Sequence, residues 1–392
     1  MVGRLDGQEI TIIGAGVGGL AAAAAFGQRG ARVAVLEQAP AITEVGAGLQ
    51  ISPNGMAVLT ALGLGPALVK RSIGAEAVEL IDGETGQLVT RIELARLAPA
   101  GAFRLVHRAD LIDLLEGAAR AAGAGILCGQ RVRSLTLGET HAPHILLDEA
   151  RRETPLLIGA DGLHSLVRTA LNGAAPPFFT GQVAWRATLA EPHALPPVVR
   201  VYMGAGRHLV TYPLRDGHIR NIVAVEERAR WAEESWSLTD DPLTLRVAFE
   251  RFIPEVRAWL DRIDWPNLWG LFRHPVAARW QGMRAALLGD AAHPTLPFLA
   301  QGANLALEDA WVLAAELDAR AAPEALAAYE RARAPRAARV VAAATANARN
   351  YHLSGLRRDL AHAALRLAQR FAPDAAGNRY RWVYDQDVTR GG

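Results

Sequence analysis

"EITIIGAGVGGLAAAAAFGQRGARVAVLEQA", Glu9 to Ala39, decides the fold. Its opening "EITII" reads as a buried strand running into a glycine turn. "VGGLAAAAAFGQRG" reads as a helix of small residues, and "ARVAVLEQA" as a second strand, so the stretch is a βαβ unit. Gly14 to Gly19 fits G-x-G-x-x-G. Gly14 permits the tight turn, Gly16 lets the backbone approach a pyrophosphate, and Gly19 lets helix and strand pack closely, with Gly18 between them. The helix N-terminus then offers N–H groups and a favourable dipole to phosphates. Glu37 ends the second strand, where a carboxylate accepts from both ribose hydroxyls and repels a 2′-phosphate. Glycine turns alone are common, but strand, helix and acid together point to an adenine dinucleotide. This motif does not separate FAD from NAD.

At 392 residues the chain is too long for one ordinary core, so two domains are expected. Hydrophobic residues make up 51% and charged residues 21%, which fits a globular chain with a large interior. A formal net charge of +2 gives no electrostatic case for nucleic acid. Lys70 is the single lysine and Cys128 the single cysteine. No disulfide or thiolate metal cluster follows within the chain, no metal is expected, and a reducing, cytoplasmic compartment is the default. No stretch reads as a signal peptide or a membrane span.

Further along, "AEAVELIDGETGQLVTRIEL" alternates and turns at Asp82-Gly83 like a hairpin, and "HRADLIDLLEGAARAAG" is helical. From Pro176 aromatic and alternating segments take over: "GQVAWRATLA", "VVRVYMG", "RHLVTYPLR", "HIRNIVAVEE". They predict a mostly antiparallel sheet. Helices are expected near 304–319, 323–348 and 356–371. The first domain is thus interrupted and later completed. We expect it to comprise residues 1–75, 101–175 and 277–350, with 76–100 and 176–276 forming the second domain and 351–392 a C-terminal helical segment.

Two more acids stand beside glycines at strand exits. "IGADGLHSLVR" places Asp161-Gly162 before a helix bearing Ser165 and Arg168, and "LLGDAAHPTLPFLAQGANLALEDA" places Gly289-Asp290 before a proline-rich loop and a helix opening at Gly302. Three approaches to one ligand suit a molecule longer than NAD needs, and Asp290 can accept from polyol hydroxyls such as the ribityl chain of FAD. A helix opening at Gly302 presents free N–H groups to the anionic edge of a reduced flavin.

With these motifs in this order, the chain resembles the class A flavoprotein monooxygenases, the single-component aromatic hydroxylases related to salicylate and p-hydroxybenzoate hydroxylase. The resemblance covers nearly the whole chain. It implies an α/β fold: a Rossmann-type, glutathione-reductase-like FAD-binding domain, an inserted antiparallel-sheet substrate domain, and C-terminal helices. It also implies that Asp290 binds the ribityl chain, that Arg108 serves the FAD side, and that the backbone at Gly302, Ala303 and Asn304 lies against the flavin ring. The Asp161 motif is associated in the family with both FAD and NAD(P)H. The implied chemistry is reduction of FAD by NADH or NADPH, formation of a C4a-hydroperoxide with O₂, and oxygen transfer to an activated aromatic ring of the hydroxybenzoate or hydroxypyridine type.

A base of near-neutral pKa suits deprotonation of a ring hydroxyl. Alternation puts His208, Val210 and Tyr212 of "GRHLVTYPL" on one strand face, and His208 with Tyr212 resembles the family's H-x-x-x-Y pair. Gln301 is expected to face the substrate, and Pro297 matches a family proline bordering flavin and substrate. Trp185 is expected to line or support the pocket wall. Arg186, Arg207 and Arg220 are candidates for binding a substrate carboxylate. Glu308 and Asp309 read as charges on a solvated helix face, and His293 as a structural residue beside the pyrophosphate loop. The amphipathic "LRRDLAHAALRLAQRF" reads as packing on the body of the protein rather than on a membrane. Small-aromatic and O₂ binding are the expected partnerships, and a homodimer stays open. Alternatives are a quinone-precursor hydroxylase, a reductase or halogenase of the same fold, and a non-catalytic flavoprotein sensor. The halogenase string W-x-W-x-I-P is absent from the sequence, and the intact motifs argue against a decayed sensor.

Overall fold

The computed structural model describes residues 3–42, 48–229 and 240–390. Its frame is a six-stranded sheet in the order Gln281–Gly282, Ala285–Leu287, Leu157–Gly159, Glu9–Ile13, Arg32–Leu36, Gly125–Leu127. All neighbours are parallel except the edge strand Gln281–Gly282. The helix Val17–Gly27 packs on this sheet through Ala21 to Ala25 and Phe26, all fully buried. Small side chains allow that approach: a Cβ at Gly19 would lie 1.9 Å from the Gly14 carbonyl oxygen. The helices Arg108–Ala121 and Gly302–Ala319 flank it.

Register decides where function can sit. Ile13 pairs with Gly159 and with Leu36, and Gly159 pairs with Leu287. Four strands therefore end level, and the residues that leave them are Gly14, Glu37, Ala160-Asp161 and Leu288-Gly289. A parallel sheet thus gathers four motifs, far apart in sequence, along its carboxyl edge, where open α/β sheets bind ligands.

A seven-stranded sheet runs Asn267–Arg273, Phe178–Ala190, Ile219–Glu227, Arg207–Leu214, Val198–Gly204, Ala77–Asp82, Leu88–Glu93. It is antiparallel but for one pair: Val198–Gly204 runs parallel to Ala77–Asp82. The expected hairpin joins from a distant segment of chain, so no tight turn dictates its direction. One face, with Trp185, Leu209, Ile222 and Ala224, is covered by the helices Pro242–Ala248 and Pro254–Asp261. The other face looks toward the parallel sheet.

The C-terminal helices are Gly302–Ala319, Ala322–Tyr351 and Gly355–Phe371, then two short turns. The helix Gly355–Phe371 packs against Leu88–Glu93 and buries His362, while Leu356, Leu360, Leu367 and Phe371 stay exposed on its outer side. Packing on the body thus accounts for one face of this amphipathic helix and not the other. No described helix is long and apolar enough to cross a membrane.

Candidate functional site

A cleft of about 330 Å³ follows the carboxyl edge of the parallel sheet and ends under the seven-stranded sheet. It starts at Gly16, Val17 and Gly18, passes Arg108, Gly162, Gly289 and Asp290, and reaches Gly302 and Ala303. His208, Val210, Tyr212 and Arg186 close it. Gly14 turns with φ +101°, and a Cβ there would meet the Ala160 carbonyl oxygen at 2.4 Å. A Cβ at Gly16 would meet nothing, so the backbone is bare toward the cleft where a pyrophosphate needs it. The first α-helical bond runs from Leu20 to Gly16, leaving earlier N–H groups aimed at the cleft end. Glu37 accepts the N–H of Ala15 and of Ala39, one on each oxygen, at 2.8 and 2.9 Å. This fixes its carboxylate beside the turn and leaves lone pairs for ribose hydroxyls.

Asp290 projects into the cleft from a 3₁₀ turn, Gly289–Ala291. Low-dielectric surroundings raise its pKa, opposed by His293 and Arg108. Beyond it the helix Gly302–Ala319 begins, with its first internal bond from Leu305 to Gln301. The N–H groups of Gly302 and Ala303 therefore face the cleft without helical acceptors, a positive dipole end suited to a flavin's anionic edge.

Three side chains at these positions turn elsewhere. Gln301, expected to face substrate, is 1% exposed and donates to Ser52 Oγ at 3.0 Å while accepting from Asn54 at 3.1 Å. A buried amide must satisfy both ends, and this cluster does so away from the cleft. Asn304 accepts the Ser52 N–H and donates to the carbonyls of Gln50 and Ala300, so only its backbone is available to a flavin. Asp161 accepts from Ser165 Oγ and from Leu166 N at 2.8 Å, which holds the start of the helix Leu166–Asn172. Gly162 lines the cleft and the Asp161 side chain does not.

Glu308 and Asp309 are not on a solvated face; both are fully buried. Arg333, 1% exposed, pairs with both, and Arg336 chelates Glu308 at 2.7 and 2.8 Å. Asp309 also accepts from His293 Nε2 and from the N–H of Gly289 at 3.1 Å. Burial alone raises a carboxyl pKa, but His293 and Arg333 hold Asp309 down at about 2. The ionic cluster thus pins the Gly289-Asp290 turn from behind, and His293 is structural as expected.

On the sheet, cross-strand register decides which side chains face the cleft. Val210 pairs with Val223 and Val223 with Arg186, so Arg186 shares a face with His208 and Tyr212. Trp185 points the other way, 1% exposed, bonded through Nε1 to Asp240 at 2.9 Å. It supports the sheet and does not line the cleft. Arg220 pairs with Glu191 at 2.7 Å, and Arg207 with Glu226 at 3.6 Å. Of the three arginines considered, only Arg186 lines the cleft, its guanidinium 4.9 Å over the Trp269 ring and its Nε without a hydrogen-bond partner.

His208 is wholly buried, and Nε2 has no partner. Burial, then His352, pushes its pKa well below 6.5. Tyr212 is buried and its pKa raised by desolvation, with Arg186 opposing. Its ring sits where a Cβ at Gly48 would be, 2.5 Å away. A second cavity of about 310 Å³ adjoins the cleft beneath the C-terminal helices; the two share Gln50, His208, Val210, Pro297, Phe298 and Ala300. Pro297 thus borders both. Sequence reading missed His352 and Glu227, which stand behind His208. Neither lies in a motif, and 144 residues separate His208 from His352. Among the described residues no cluster of side chains could hold a metal ion.

A family model described as FAD binding domain matches residues 8–344. The 3-amino-4-hydroxybenzoate 2-monooxygenase of Streptomyces cremeus is 36% identical over 356 residues, spanning 88% of each chain. The 3-hydroxybenzoate 6-hydroxylase of Polaromonas naphthalenivorans is 34% identical over 366 residues, spanning 89% of each. A salicylate hydroxylase substrate complex superposes with a TM-score of 0.81 at 24% identity, over 98% of this chain and 97% of that one, and so shares the fold. The glycine turn, the bare backbone at Gly16 and the helix end at Gly302 fit the cofactor these matches share, and the chain belongs to the FAD binding domain family as a class A FAD-dependent aromatic monooxygenase.

Proposed function

We propose that the protein hydroxylates a small aromatic acid of the hydroxybenzoate type, with NADH or NADPH as reductant. One observation carries the reading. A buried histidine with an unpartnered Nε2 and an arginine with an unpartnered Nε share a cleft wall, at the end opened by Gly302 and Ala303. Bound FAD supplies the redox chemistry that takes electrons from NAD(P)H and places one oxygen of O₂ on the ring. The protein's part is to bind, orient and ionise that ring.

Arg186 holds the substrate carboxylate. The guanidinium carries five donors suited to a carboxylate, and the surroundings strengthen the pairing because little water competes. Desolvation disfavours its charge, Tyr212 partly offsets this and Arg108 adds to it, so a carboxylate beside the guanidinium would stabilise the charged form. His208 accepts the phenol proton at Nε2, and Tyr212 orients the ring hydroxyl beside it. Burial, then His352, lowers the His208 pKa, which keeps the imidazole neutral with a lone pair at Nε2 to take the proton. The apolar neighbours Val210, Val223, Val225 and Phe298 exclude water from the ring. The single cysteine and the reductant suit a cytoplasmic setting.

A panel of hydroxybenzoates, hydroxypyridines and uncharged phenols tests this by stimulated NAD(P)H oxidation. Carboxylated phenols should lead. Arg186→Gln should raise KM for the leading acid by roughly 10- to 100-fold, the value of a hydrogen-bonded charge, and change KM for an uncharged phenol little. Equal stimulation by uncharged quinone precursors, with no effect of Arg186→Gln, would favour a quinone-precursor hydroxylase instead.

A further inference from the structure

We propose that His352 and Glu227 form, with His208, a proton outlet from the substrate cleft to bulk water. The inference rests on the reading of His208 as the base. His208 Nδ1 lies 2.7 Å from His352 Nε2, and His352 Nδ1 lies 2.8 Å from Glu227 Oε1. The His352 side chain is 2% exposed and that of Glu227 53% exposed, so the row begins in the core and ends in solvent. The loop at Gly206 holds both outer members. Its N–H donates to the His352 carbonyl at 3.2 Å, and its carbonyl accepts the Glu227 N–H at 2.9 Å.

The tautomers are linked. A base at His208 Nε2 needs a lone pair there, which places the proton on Nδ1. His208 Nδ1–H then donates to His352 Nε2, and His352 in turn donates Nδ1–H to the Glu227 carboxylate. Every hydrogen bond points outward before the reaction begins. Around His208 stand the rings of Phe298, Tyr351 and His352 at 5.1, 5.3 and 4.9 Å, with no carboxylate against it among the described residues. Arg207 and Glu227 flank His352, and Glu226 pairs with Arg207. An imidazolium at His208 would be a buried charge without a counter-ion, so the proton cannot rest there. The phenol O–H breaks as N–H forms at Nε2. His208 Nδ1–H passes to His352 Nε2, His352 Nδ1–H passes to Glu227, and Glu227 releases a proton to water. No electrons move. Reprotonation of the product phenolate runs the row backwards and restores both tautomers.

The test uses FAD-loaded wild type, Glu227→Gln, Glu227→Asp, His352→Gln and His208→Asn, with the panel's leading phenol. Stopped-flow with a pH indicator in weak buffer reads proton release, and substrate absorbance reads phenolate formation. Glu227→Gln and His352→Gln should slow both by about tenfold or more, with substrate affinity nearly unchanged, and Glu227→Asp should restore the rate. Glu227 is exposed, so its variants report even where His352→Gln folds poorly. Wild-type proton release in Glu227→Gln overturns the outlet, whatever His352→Gln does. Wild-type phenolate formation in His208→Asn would instead overturn the base assignment beneath it.

Discussion

Replacing His208 by asparagine is expected to lower kcat by about 10²- to 10⁴-fold, the usual value of a positioned base. Nε2, the nitrogen that takes the proton, has no protein partner, and the asparagine amide keeps a polar group near the Nδ1 position that bonds His352. Substrate KM should move far less, because Arg186 and the apolar walls remain. The pH profile offers a second reading. Burial disfavours the imidazolium of His208, as does neighbouring His352, so its folded pKa lies below 6.5. The acid limb of kcat/KM should therefore fall below pH 6.5, where a solvated histidine would already be protonated. Asparagine should abolish that limb. An unchanged kcat in a folded, FAD-loaded His208→Asn would remove the base from the account.

Arg333→Met is expected to cost about 3–5 kcal/mol of stability. Glu308 and Asp309 would remain buried with the guanidinium between them gone. Asp309 also bonds the N–H of Gly289, so the turn carrying Asp290 should loosen and FAD should be released more readily. Thermal unfolding of holo- and apoprotein checks both. The sign of the acid response follows from the carboxyls. Burial raises their pKa values, but the cations win, and both folded values lie below the unfolded ones, Asp309 at about 2. The stability they contribute is complete above their unfolded values, at about pH 5, and is lost as pH falls from there through the folded values, for Asp309 at about 2. Arg333→Met should flatten that acid loss, because the carboxylates it leaves no longer have depressed pKa values of the same size.

What was legible in the sequence was mostly backbone. Gly14, Gly16 and Gly19 stand in a recognisable backbone motif, and strand exits at Asp161 and Gly289 can be read from apolar runs that stop. A parallel sheet then aligns those exits without any further information. Side-chain tasks were less legible because they depend on distant partners. Gln301, Asp161 and Asn304 stand where the motifs place them, yet hydrogen bonds to Asn54, Leu166 and Ser52 turn their side chains into scaffold. Glu308 and Asp309 look like a polar helix face until Arg333 and Arg336, on the next helix, cover them. Arg186 could not be chosen over Arg207 or Arg220 because its face depends on the register of three strands at once. His352 and Glu227 carry no pattern at all; only folding brings them behind His208.

If one cleft holds both FAD and a phenolic acid, an oxygen atom of O₂ should reach the aromatic ring. Incubating the FAD-loaded protein with ¹⁸O₂, NAD(P)H and the panel's leading hydroxybenzoate tests it most directly. NAD(P)H consumption should depend on the aromatic acid, and the product should carry one ¹⁸O atom on its ring. NAD(P)H oxidation that no aromatic compound stimulates, with unlabelled aromatic recovered intact, would contradict it.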